Sequence, residues 1–146
     1  MNIEDRYEIM DLIYKYSYTY DENDISRFSN LFMEDGVWES PIGNAMSRDE
    51  IYALLGPRRE AIAQRGIQNR HFQTNTILTP ISDDKVKGKT MVSVTWQYPG
   101  EKYARVHLTG YYEDEFIRTP DGWKFSRRAL YVDQSPHDLK VENDNF

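Results

Sequence analysis

Cysteine is absent from the 146 residues. Its absence excludes a disulfide framework, a thiol nucleophile and a thiolate zinc site, and fits a reducing compartment. No apolar run approaches membrane-spanning length. The opening Met1-Asn2-Ile3-Glu4-Asp5 has neither the basic end nor the apolar core of a signal peptide. A cytoplasmic protein with no membrane partner is expected. Basic charge is also short: 18 Lys and Arg against 24 Asp and Glu leave a formal charge of -6 and no cationic stripe, which argues against nucleic acid as a partner. There is no Ser-His-Asp order, phosphate-binding glycine loop or His-rich metal cluster, so no metal site is expected.

The length suits one domain, able to bury roughly two-thirds of its unfolded surface. That domain is expected over 1–134, followed by a polar tail over 135–146. Residues 3–21 place Ile3, Met10, Ile13, Tyr14, Ser17 and Asp21 near helical spacing and predict a first helix. Asp24 is the expected N-cap of a short second helix with Ile25, Phe28, Leu31 and Phe32 as its apolar face, ending before Asp35-Gly36. Val37–Ser40 reads as a short strand stopped by Pro41. Ser47-Arg48-Asp49-Glu50 fits a capping box that opens a third helix, interrupted or restarted at Gly56-Pro57 and ended by Gly66.

From residue 70 the period becomes two. His71, Gln73, Asn75, Ile77 and Thr79 fall on one strand face and Phe72, Thr74, Thr76 and Leu78 on the other. Strands over 86–98, 103–117 and 123–133 follow, joined through Pro99-Gly100 and Pro120-Asp121-Gly122. Helices first and antiparallel strands afterwards predict an α+β layer pair with room for a cavity.

Two residues in this pattern carry the chemistry. Asp21 closes the first helix and His71, one of three histidines, lies on the first long strand. An imidazole facing a carboxylate is suited to proton transfer. The ordinary roles are a turn-forming Asp in Asp21-Glu22-Asn23-Asp24 and a hydrogen-bonded strand His. Eleven Tyr and three Trp supply rings with polar tips that can line a half-apolar cavity, although tyrosines also favour strands generally. His137, in the tail, reads as a solvated bystander.

Tyr20-Asp21, Leu31-Phe32 with Asp35-Gly36-Val37-Trp38, Ser47 with Ile51, Arg70-His71-Phe72 with Asn75, Gly110–Asp114 and Asp121–Arg128 together resemble the SnoaL-like branch of the nuclear-transport-factor-2-like superfamily. The resemblance covers about residues 3–133. It implies a cone-shaped α+β barrel, with N-terminal helices on a curved, mainly antiparallel sheet enclosing a pocket, commonly cofactor-free and assembled as a homodimer or homotrimer. The branch includes scytalone dehydratase, bile-acid 7α-dehydratase and lindane dehydrochlorinase, with isomerases, polyketide cyclases and members without catalysis nearby. Fold alone therefore does not settle function.

Carried over residue by residue, the resemblance implies His71 as base and Asp21 as its orienting carboxylate. Tyr16, His107 and Arg128 are implied as groups that could assist, with only one of Arg127 and Arg128 able to look inward. Trp38, Tyr20, Tyr111 and Trp96 are expected to contact substrate. The expected function is a cofactor-independent, dehydratase-like lyase acting on a small hydroxylated cyclic or polyketide-like molecule. An isomerase or cyclase using the same dyad, and a non-catalytic small-molecule-binding module, remain open.

Overall fold

The computed structural model describes residues 1–133; the expected tail over 135–146 and His137 lie outside the described residues. Helix α1 spans Ile3–Asp21, α2 Ile25–Ser29 and α3 Arg48–Gln64; strands are β1 (Phe32–Ser40), β2 (Gly43–Ala45), β3 (Gln68–Pro80), β4 (Lys85–Gln97), β5 (Arg105–Thr119) and β6 (Gly122–Val132). One six-stranded sheet runs β2-β1-β6-β5-β4-β3, with β1 and β6 parallel and every other pair antiparallel. The sheet is open at β2 and β3, so the cone is closed by helices rather than by strands. Helix α1 lies against β3 and β6, α3 against β1 and β2, and α2 joins the two helices.

Local signals explain the helix ends. Asn2 accepts from the Asp5 amide at 2.8 Å while the Asp5 carboxylate accepts from the Asn2 amide at 3.2 Å, satisfying two amides that a helix start leaves unpaired. Asp24 caps α2 by accepting from the Arg27 amide. Ser47 caps α3, but Glu50 reaches back to the Met46 amide at 2.7 Å rather than to that of Ser47. Pro57 lies inside α3, which runs through Gly56-Pro57 without a break. Packing against the neighbouring helix and strands outweighs the hydrogen bond that proline removes.

Several faces differ from the sequence expectation. Helix α1 buries Ile9, Leu12, Ile13, Tyr16, Ser17 and Asp21, whereas Ile3 and Tyr14 are exposed. Strand β1 begins at Phe32, five residues before the expected start, and absorbs Asp35-Gly36 in a register shift against β6. Residues 3.6 per turn and 2.0 per strand step set these faces only while the element stays regular.

Three further irregularities reset the alternation. In β3 a bulge at Asn75, whose φ is 55°, turns Thr76 and Leu78 toward the core and leaves Ile77 exposed, the reverse of the expected parity. In β5 His107 is the extra residue between the Val94–Leu108 and Thr95–Val106 pairs. In β6 Ser126 is extra, so that Phe125 and Arg128 both point inward while Arg127 pairs outward with Glu39 at 2.5 Å. Strands β5 and β6 also approach closely at Gly110, where an added Cβ would meet the Tyr131 carbonyl oxygen.

The core lies between the concave sheet face and the helices. Ile9, Ile13, Phe28, Phe32, Phe116 and Phe125 are fully buried there, each such side chain contributing about 1.5–3 kcal/mol relative to exposure. Toward the β3–β5 end the packing opens into a cavity.

Candidate functional site

Asp21 arrives at the cavity wall because α1 ends there. Arg59, buried on α3, holds that end by donating to the Tyr20 carbonyl at 2.7 Å and the Asp21 carbonyl at 2.5 Å, two of the carbonyls that a helix C-terminus leaves unpaired. The Asp21 carboxylate is then met from β3. Oδ2 accepts from the His71 amide at 2.8 Å, and Oδ1 lies 2.6 Å from His71 Nδ1. With Nδ1 turned to the carboxylate, Nε2 is the nitrogen left for the cavity.

Asn69, two residues before His71 and on the same strand face, completes this arrangement. Its amide nitrogen donates to Asp21 Oδ1 at 2.5 Å, and its oxygen accepts from Trp96 Nε1 at 2.6 Å. The indole, a donor only, fixes which way round the amide sits. Trp96 in turn stacks on His107 with ring centroids 3.5 Å apart and planes 7° apart. Asn69 was not among the residues singled out from the sequence, which reads the strand from residue 70; its period-two spacing to His71 is the signal that could have found it. Asn69→Leu should remove about 1–3 kcal/mol of stability by leaving buried partners short of a hydrogen bond. Urea denaturation of wild type and variant measures the loss.

The cavity has a volume of about 110 Å³. Its apolar wall includes Ile42, Leu55, Val94, Leu108, Leu130 and Val132; its polar and aromatic wall includes Tyr16, Tyr20, Trp38, Asn69, His71, Trp96, His107 and Tyr112. The structure therefore gathers Tyr16, Tyr20, Trp38, His71, Trp96 and His107 around one space, with Asp21 directly behind His71. The Tyr20 and Tyr16 rings stand edge-on to the imidazole at 5.3 and 6.3 Å.

Two expected residues stand elsewhere. Tyr111 lies on the outer sheet face, stacked on Tyr131 at 5.0 Å, and Tyr112 lines the cavity in its place. Counting alternate residues from His107 carries Tyr111 inward, but the bulge there shifts the phase by one. Arg128 does not line the cavity. It is fully buried behind the wall, bidentate to Asp114 at 2.7 and 2.8 Å, with its guanidinium 4.0–4.4 Å from the Tyr112, Tyr16 and Phe125 ring centroids.

Electrostatics follow burial. Desolvation raises the Tyr16 hydroxyl above its ordinary range, opposed by Arg128 and by the hydrogen bond from Trp38 Nε1 at 3.1 Å. Burial likewise pushes Tyr20 up to about 12 and Tyr112 well above its usual value. These phenols stay protonated near neutral pH. His107 moves the other way: burial, then the charges of Arg58 and His71, lower it from 6.5. A depressed imidazole supplies stability that is present above the unfolded-state value and is lost as pH falls through the folded one. His107 should therefore titrate below pH 6.5 by NMR, and His107→Gln should flatten the fall in stability as the pH drops below 6.5. Among the described residues, no three His, Asp or Glu side chains converge on a potential metal position, and no helix is long and apolar enough to cross a membrane.

The open, helix-covered α+β cone is a cystatin-like, NTF2-like fold. The SnoaL-like domain profile matches residues 1–129, and the chain belongs to that family. Among solved structures, an NTF2-like protein with a cystatin-like fold from Novosphingobium aromaticivorans is 28% identical over 92% of this chain and 86% of its own, with a TM-score of 0.79. ActVI-ORFA from Streptomyces coelicolor is 22% identical over 89% and 96%, with a TM-score of 0.81. A Novosphingobium aromaticivorans protein provisionally named scytalone dehydratase is 22% identical over 99% and 97%, with a TM-score of 0.77. A comparison with curated protein sequences finds no match.

Proposed function

We propose that the protein is a cofactor-independent lyase that dehydrates a small hydroxylated cyclic or polyketide-like molecule, with His71 as the base. The carrying observation is the 2.6 Å contact between Asp21 Oδ1 and His71 Nδ1 at the wall of a largely apolar cavity. Asp21 selects the tautomer with the proton on Nδ1 and stabilises the imidazolium that forms, while Nε2 takes a proton from the carbon beside a carbonyl. The electron pair left on that carbon forms the new double bond as the neighbouring hydroxyl departs. The proton taken by Nε2 leaves with that hydroxyl as water, so the dyad is reset.

Tyr16 stabilises the negative charge that develops on the substrate carbonyl oxygen as the proton leaves the neighbouring carbon. Its oxygen accepts from Trp38, and a protonated phenol beside a buried cation is a suitable donor to a developing oxyanion. Arg128 acts through the Tyr16 and Tyr112 rings rather than by touching substrate. His107, neutral and stacked on Trp96, orients the ligand by hydrogen bonding rather than by charge.

The test is a panel of cyclic β-hydroxy ketones, followed by absorbance of the conjugated product in wild type and His71→Ala. Product formation that requires His71 supports the lyase. Deuterium uptake from heavy water without loss of water favours an isomerase or cyclase, and binding with neither favours a ligand-carrying module.

Self-association as a homodimer or homotrimer belongs to the same reading. Phe72, Ile77, Met91 and Val106 are each more than half exposed on the outer face of β3–β5, and apolar area of that kind favours a protein partner. Sedimentation velocity should give a dimer or trimer at micromolar concentration; a monomer excludes this assembly.

A further inference from the structure

Among the described residues that line the cavity, Arg58 is the one permanently charged side chain, and no carboxylate lines it, since Asp21 lies behind His71. Arg58 projects from α3 beside the buried Arg59 but is itself exposed, which puts its guanidinium at the mouth. Several other basic side chains are engaged. Arg59 closes the end of α1, Arg48 donates to the Phe32 carbonyl, and Arg105 pairs with Glu101. Among the described residues Arg58 has neither an ion pair nor a hydrogen bond, yet its charge reaches the Tyr20 hydroxyl and His107, both on the cavity wall.

An arginine fork presented to a cavity without a protein carboxylate is matched by a planar, two-oxygen anion. We propose that Arg58 is the specificity residue for a carboxylate on the ligand. The molecule is then apolar where it lies between Trp38, Leu55 and Leu130, and acidic where it emerges at the mouth beside His107. This deepens the proposed function and rests on the cavity being a ligand site. It narrows the substrate class to ring or chain molecules bearing a carboxylic acid away from the carbon that loses its proton. The chain's overall acidity does not oppose this, because surface carboxylates more than a Debye length away are largely screened, whereas a cation at the mouth acts at contact distance.

The experiment needs no knowledge of the substrate. Binding of 2-naphthoate and of its uncharged isostere 2-naphthamide is followed by tryptophan fluorescence, Trp38 and Trp96 being on the wall, and by shifts of the His71 ring signals. Wild type should bind the carboxylate roughly tenfold more tightly than the amide at low salt, with the gap narrowing at high salt. Arg58→Gln should erase that preference by weakening the carboxylate alone, and Arg58→Lys should retain part of it. Arg58 is exposed, so neither replacement threatens the fold. A carboxylate that binds no more tightly than the amide, or whose binding ignores Arg58→Gln, overturns the assignment. In that case an amide that still shifts the His71 signals leaves the ligand-pocket reading standing, and failure of both probes overturns both.

Discussion

Turnover in His71→Ala should fall by about 100- to 10,000-fold, the usual contribution of a positioned general base, while ligand affinity changes little. The split follows from the geometry. His71 contributes one edge of a wall that also includes Trp38, Trp96, Tyr20, Tyr112 and aliphatic side chains, so its loss leaves most of the binding surface in place. Among the described residues, the alanine removes the one imidazole with a ring nitrogen held by a buried carboxylate. Asp21→Asn should be nearly as damaging for a different reason. An amide in place of Asp21 can present a donor to Nδ1, which favours the tautomer with the proton on Nε2 and turns the base into an acid at the wrong atom. Saturation kinetics in the two variants would separate the effects: kcat falls in both with KM nearly constant. A kcat preserved in His71→Ala would sink the lyase reading outright.

Arg128→Met should destabilise the protein by about 3–5 kcal/mol, because it leaves the Asp114 carboxylate buried without its partner. Both side chains are 0% exposed, and the two fork contacts of 2.7 and 2.8 Å satisfy both carboxylate oxygens. A domain of ordinary stability has only about 5–15 kcal/mol in total, so the variant approaches the edge of folding. Asp114→Leu combined with Arg128→Met should recover most of the loss, since two apolar side chains of similar volume incur no desolvation of charge. Urea denaturation of the single and double variants measures the difference. The double variant then separates folding from chemistry: if Arg128 supports Tyr16 through the ring faces, a stable double variant still turns over slowly.

The sequence alone placed Asp21 and His71 because each sits in a context with a simple period, a helix end and the first half of a strand. It also placed the antiparallel run from β3 to β6, where proline and glycine mark the turns. What it could not place were residues downstream of a bulge. Tyr111 and Tyr112 are adjacent and chemically equivalent, and only the extra residue at His107 decides which of them reaches the cavity. Ile77 and Leu78 are exchanged in the same way by Asn75. Asn69 was missed for another reason: an amide has no titratable signal, and its value lies in contacts with Asp21 and Trp96 that only the folded chain brings together.

The bulge at Asn75 divides β3 into two reading frames. Asn69, His71 and Gln73 turn inward in one frame and Thr76 and Leu78 in the other, with a left-handed asparagine as the punctuation between them. Each frame can accept substitutions without forcing a compensating change in the other. A one-residue deletion at the bulge, by contrast, would make the two frames incompatible and oblige the strand to abandon either its cavity face or its core face. The strand can thus vary what it offers a ligand while keeping what it owes the core, and insertions or deletions at this point are the changes it tolerates least.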